Sequence, residues 1–198
     1  MEPDEGGGGP VADRVGRIKT GLWVRWVALL AFGAGFGFVE AAVVHYLRLV
    51  IGYQIGYQTG AGRVYLDLGL IAFVQPAHSV LVNPSLTHVE TAREAATLVM
   101  LVAVGVVAGA TLRRRVAAFF IAFAVWDLTY YLFLWVLDGW PTSLLDRDVF
   151  FLIPVTWVGP VATAVVASSV ILVVASWAHL VGRRKPSDSG EAPREQPA

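Results

Sequence analysis

The sequence predicts an all-α membrane protein with four transmembrane helices, both termini cytoplasmic, and an irregular outer segment between helices one and two. Three observations predict it. Four long runs are apolar enough to cross a bilayer, which takes about 20 residues. Basic residues cluster at three points that four spans would place on one side. Carboxylates sit inside the apolar runs, where burial is costly and a partner or a task is expected.

Composition agrees. Of 198 residues, 56% are hydrophobic, and mean hydropathy is +0.62, with the apolar residues gathered in runs. Basic and acidic residues balance at 15 each. Cysteine is absent, which excludes disulfides, thiolate metal sites and cysteine nucleophiles. The basic residues flank spans and form no nucleic-acid motif, so no nucleic-acid partner is expected. The first apolar run is too long for a signal-peptide core and reads as an uncleaved anchor.

Residues 1–18 are Gly-rich and polar, and a disordered cytoplasmic tail is expected there. Residues 19–183 form the membrane domain. Helix one is expected at about 22–50, with Arg14, Arg17, Lys19 and Arg25 at its inner end beside Trp23 and Trp26. Gly33-x-x-x-Gly37 predicts close helix packing, which turns Glu40 toward a neighbour. Residues 68–82 are apolar but short and carry Gln75, Pro76 and His78; an interfacial or re-entrant segment is expected, with a fifth span as the alternative.

Helix two is expected at about 88–110. Thr87-x-x-Glu90 reads as a capping box at its start. Arg113, Arg114 and Arg115 make a cytoplasmic turn before helix three at about 115–137, and Trp140 marks its outer end. Helix four is expected at about 150–181, with Pro154 and Pro160 interrupting its start. Freed backbone at membrane depth is tolerated only against protein or a wet cavity. Arg183, Arg184 and Lys185 follow, and 184–198 form a second disordered cytoplasmic tail.

At about 1.5 Å per residue, Glu40 lies about 21 Å from Trp26, Asp127 about 18 Å from Arg115, and Glu94 about 28 Å from Arg113. All three fall in the outer half of a core of roughly 30 Å. His88, Asp138, Asp146 and Asp148 fall at the outer mouth. A polar cavity opening outward is expected. Glu40, Glu94, Asp127, Tyr131 and Arg93 are its candidate ligand-binding residues. Tyr130 and Tyr131 share a helical face with Asp127, and a tyrosine hydroxyl is expected on that carboxylate. Arg93 alternatively pairs with the acids as a structural ion pair.

Signatures of serine hydrolases, zincins, P-loop and Rossmann proteins are absent. Carboxylate with imidazole suits a divalent metal such as Fe, Mn or Zn, with Glu40, His45, His88, Glu94 and Asp127 as candidate ligands. The same groups suit proton relay and general acid–base work. The expected function is binding of a metal or small cation in the outer cavity, with or without enzymatic chemistry. The alternatives are a non-catalytic subunit of a larger membrane complex and an ion- or proton-coupled carrier. The expected partners are the lipid bilayer and further membrane subunits, either copies of this chain or a complex.

The runs FGFVEAAVVHYLR, ETAREAATLVMLVAVG and FAVWDLTYYLFLWVLDGWPTSLLDRDVFFLIPVTWVGPV resemble a group of multi-pass bacterial membrane proteins with no assigned activity. The likeness covers roughly residues 30–165. It implies a bacterial plasma-membrane setting and no catalytic roles.

Overall fold

A computed structural model describes residues 10–51, 63–74 and 84–181, with side chains for 20–50, 63–74 and 88–181. In chain order the elements are α1 (Pro10–Ile51), β1 (Val64–Asp67), β2 (Ala72–Val74), α2 (Pro84–Ala108), α3 (Leu112–Asp138), β3 (Arg147–Phe151), β4 (Thr156–Pro160) and α4 (Val161–Leu180). Four stretches are long and apolar enough to span a membrane: Thr20–Val50, His88–Ala108, Leu112–Asp138 and Val161–Leu180. This is a multi-pass membrane protein by length and composition of its helices.

The central helix is α3, against which α1, α2 and α4 all pack. Thr111 caps its start by accepting a hydrogen bond from the Arg114 N–H, and left-handed Gly139 (φ 66°) ends it. The α1–α3 contact depends on two glycines. A Cβ on Gly33 would lie 2.8 Å from the Val125 Cβ, and one on Gly37 would meet Thr129 and lie 2.7 Å from the Trp126 carbonyl oxygen. The Gly33-x-x-x-Gly37 spacing thus brings two backbones together, as expected of small residues in membrane bundles. Leu29, Leu101, Ala118, Ile121, Ala122, Trp126 and Ala175 form the main core, with contributions from all four helices.

Among the described residues, four short strands accompany the four expected helices. They form one antiparallel sheet in the order β1-β2-β4-β3. Residues 150–160, expected as the start of helix four, are strand and turn, and α4 begins only at Val161. The segment is apolar enough for a span, but Pro154 and Pro160 deny it helical hydrogen bonds, while Val, Phe, Ile, Thr and Trp suit a pleated sheet. Of the segment 68–82, residues 72–74 form β2 and pair with 156–158 of β4. Gln75, Pro76 and His78 lie outside the described residues, as do 1–9 and 184–198. α1 is helical from Pro10, within the stretch 1–18 expected as a tail.

The β3–β4 hairpin enters the bundle. Phe151 stacks on Phe123 of α3 with ring centroids 6.3 Å apart and packs against the main core. Phe123 lies eight residues beyond Arg115, and Leu152 at the hairpin tip meets Glu94 of α2. The hairpin tip therefore sits at the depth of the spanning segments. Backbone there is shielded by protein on several sides, the condition under which non-helical structure is tolerated at membrane depth.

Candidate functional site

The hairpin, α1, α2 and α3 enclose a cavity of about 110 Å³. That is room for a few water molecules or one small ligand. Its wall includes Glu40, Arg93, Glu94, Asp127 and Tyr131, all five of the residues singled out as candidate ligand-binding groups. It also includes Arg48, Glu90, Thr97, Trp126, Tyr130, Asp148, Phe150 and Phe151. The cavity lies in the half of the bundle away from the Arg113–Arg115 turn.

Each acid has a bonding partner, and the partners differ in kind. Arg93 is bracketed by two carboxylates: it pairs with Glu40 of α1 and donates to Glu90, one turn earlier on α2, at 2.6 and 2.8 Å. Glu90 is thus one arm of a buried ion triad, a role the T-x-x-E spacing did not predict. Glu94 accepts the backbone N–H groups of Leu152 and Ile153 at 2.8 and 3.3 Å. It caps the hairpin tip, whose N–H groups would otherwise be orphaned. Asp127 accepts the Ser168 hydroxyl at 2.7 Å, tying α3 to α4. Tyr131 donates to Asp148 of β3 at 3.1 Å. Tyr131, one of the two tyrosines on the Asp127 face, is thus held by a second carboxylate that the hairpin brings to it.

A second polar group adjoins the cavity through Arg48, where α1 and α3 end. His45 and Arg48 both hold Asp138, the histidine at 2.5 Å. The Arg48 guanidinium lies 5.0 Å from the Trp140 ring centroid, a cation–π arrangement. Trp140 is 6% exposed and packs with Tyr131, Leu134 and Val161, so it belongs to the core and not to a lipid-facing belt. Asp146, in the connection after α3, accepts from the Thr142 hydroxyl and from the Thr142 and Ser143 N–H groups. These bonds, the hydroxyl foremost, hold its carboxyl below the usual range.

The metal-ligand set expected from composition does not assemble. Glu40 and Glu94 are committed to Arg93 and to the hairpin, and Asp127 to Ser168. His45 is drawn to Asp138. His88 is exposed, and neither histidine lines the cavity. Among the described residues, no group of three or more His, Cys, Asp or Glu is placed to hold a metal ion. The reason is competition: backbone N–H groups, hydroxyls and guanidiniums satisfy the carboxylates first.

Sequence reasoning missed Arg48, Ser168 and the burial of Asp148. Arg48 carried a usable signal, since it lies at the end of α1 opposite the basic clusters and so stands against the charge asymmetry. Ser168 carried none, because a serine in an apolar helix commonly bonds its own backbone. No protein-family model, no curated protein and no solved structure matches this chain.

Proposed function

We propose that the cavity receives a small organic cation from the extracytoplasmic side of a plasma membrane. One observation carries this reading: five carboxylates and only two guanidiniums line the cavity, and both guanidiniums are already committed. Glu94, Asp127 and Asp148 are held by neutral donors and have no ion pair among the described residues. An incoming cation would supply the missing charge. The aromatic faces of Trp126, Tyr130, Tyr131 and Phe150 favour an ammonium over a bare metal.

Binding of tetramethylammonium to purified protein in nanodiscs, followed by calorimetry, tests the reading. Saturable binding is expected. Asp127→Asn is expected to weaken it about tenfold, the equivalent of about 1.4 kcal/mol, while the melting temperature stays within a few degrees. No heat from tetramethylammonium or from a primary amine of similar size would overturn it. The non-catalytic subunit would then be the better reading, since four of the five acids on the wall already tie two elements together.

The orientation in this proposal rests on the basic clusters. Arg25 and Arg113–Arg115 stand at one end of the bundle, and Arg183, Arg184 and Lys185 follow α4 directly. Both termini would be cytoplasmic. The native chain has no cysteine, so single introduced cysteines report cleanly. Leu145→Cys, at a site 77% exposed, is expected to react with an impermeant maleimide on intact cells. Leu112→Cys, 76% exposed, is expected to react only after permeabilisation. The reverse pattern would invert the topology and move the cavity mouth to the cytoplasm.

A further inference from the structure

The opposite end of the bundle holds a second constellation that the cavity does not use. His179, in the last turn of α4, is fully buried at 0% exposure. Neither of its ring nitrogens meets a side-chain hydrogen-bond partner, and the Arg114 backbone lies beside the ring. The charges of Arg114, Arg25 and Arg113, drawn from α3 and α1, act on it. The carboxylates with described side chains lie elsewhere; on α3 the first is Asp127, twelve residues and about 18 Å beyond Arg115. Three guanidiniums around a buried imidazole, with no acid among them, call for an anion.

An apolar groove of about 640 Å³ runs between α3 and α4 from the same place. Val116, Phe120, Val170 and Val174 line it, and Arg113 stands at its end. Along α3 it extends from Leu112 to Phe120, about 12 Å in the direction of the spans. Its wall is almost wholly hydrocarbon, and its one charged residue is a cation.

We propose that this end binds an anionic phospholipid, with the phosphate against Arg25, Arg113 and Arg114 over His179 and an acyl chain in the α3–α4 groove. The two halves of the molecule match the two halves of the site. Arg113 directs one guanidinium nitrogen to the Val181 carbonyl, and others of its five N–H donors remain for the phosphate. A free phosphate would use the arginines and leave the groove without a role. A helix from a second copy would fill the groove and leave the arginines without a counter-charge.

The test is thermal unfolding of the full chain in neutral detergent, titrated with dioleoyl phosphatidylglycerol, dioleoyl phosphatidylcholine or inorganic phosphate. Phosphatidylglycerol is expected to raise the melting temperature saturably, and the other two are not. An arginine near an anionic lipid surface contributes about fivefold in affinity, so Arg113→Gln with Arg114→Gln is expected to weaken phosphatidylglycerol binding about 25-fold. Val174→Trp fills the groove from a position 58% exposed, where folding tolerates it, and is expected to weaken the lipid severalfold. Native mass spectrometry of the same variants reads retained lipid independently of stability. Equal effects of the two lipids would overturn the proposal. So would inorganic phosphate reproducing the shift with Val174→Trp silent, which would mean a free-anion site. Self-association abolished by Val174→Trp, with no lipid preference, would mean that a second copy fills the groove.

Discussion

Glu94→Leu is expected to destabilise the folded protein by about 2 kcal/mol, because it strips the acceptor from two part-buried N–H groups at about 1 kcal/mol each, the low end of the range for full burial. Those are the N–H groups of Leu152 and Ile153 at the hairpin tip, which bond to the two Glu94 oxygens. Glu94→Gln keeps one acceptor oxygen and is expected to cost less than the leucine. Hydrogen exchange makes the test specific: the two tip amides should exchange faster in Glu94→Leu, while α3 amides at the depth of Ile121 stay protected. Unchanged exchange at 152 and 153 would show that Glu94 does not hold the hairpin, and its role would return to the cavity alone.

Arg93→Gln is expected to cost about 3–5 kcal/mol, the usual consequence of leaving buried charge without its partner. Here two carboxylates, Glu40 and Glu90, would face each other across the vacated space. The signature is rescue: adding Glu40→Gln to Arg93→Gln should restore much of the melting temperature, and a double-mutant cycle should show strong coupling. Additive losses would mean that the triad is held together by its surroundings and not by its charges. The contrast with Asp127 is informative. Asp127 has a neutral partner, so neutralising it should disturb ligand binding more than folding.

The helices were legible because hydropathy over about 20 residues and the placement of arginines are local, additive signals. The convergence of Glu40, Glu94 and Asp127 was legible for a related reason, since depth along a helix is set by residue count. The sheet was not. Residues 150–160 satisfy a hydropathy window and fail as a helix only through Pro154 and Pro160, and their partner β2 lies more than 80 residues away. Hydrogen-bond partners were less legible still. Asp127 shares a face with Tyr131, yet the tyrosine bonds to Asp148 and the aspartate to Ser168. Both outcomes depend on elements whose positions periodicity does not encode.

The hairpin also dictates an order of assembly. It is continuous with α4 at Pro160–Val161, and its sheet is completed by residues 72–74 from before α2. Helices can enter a bilayer one at a time, each with its own backbone satisfied. A hairpin at that depth cannot, because its tip needs Glu94 from α2, its Asp148 needs Tyr131 from α3, and its outer strand needs β2. It can dock only once α2 and α3 are in place, and closing so long a loop is entropically slow. Until then the cavity has no fourth wall, so a chain released before residues 147–160 are made has inserted helices but no pocket.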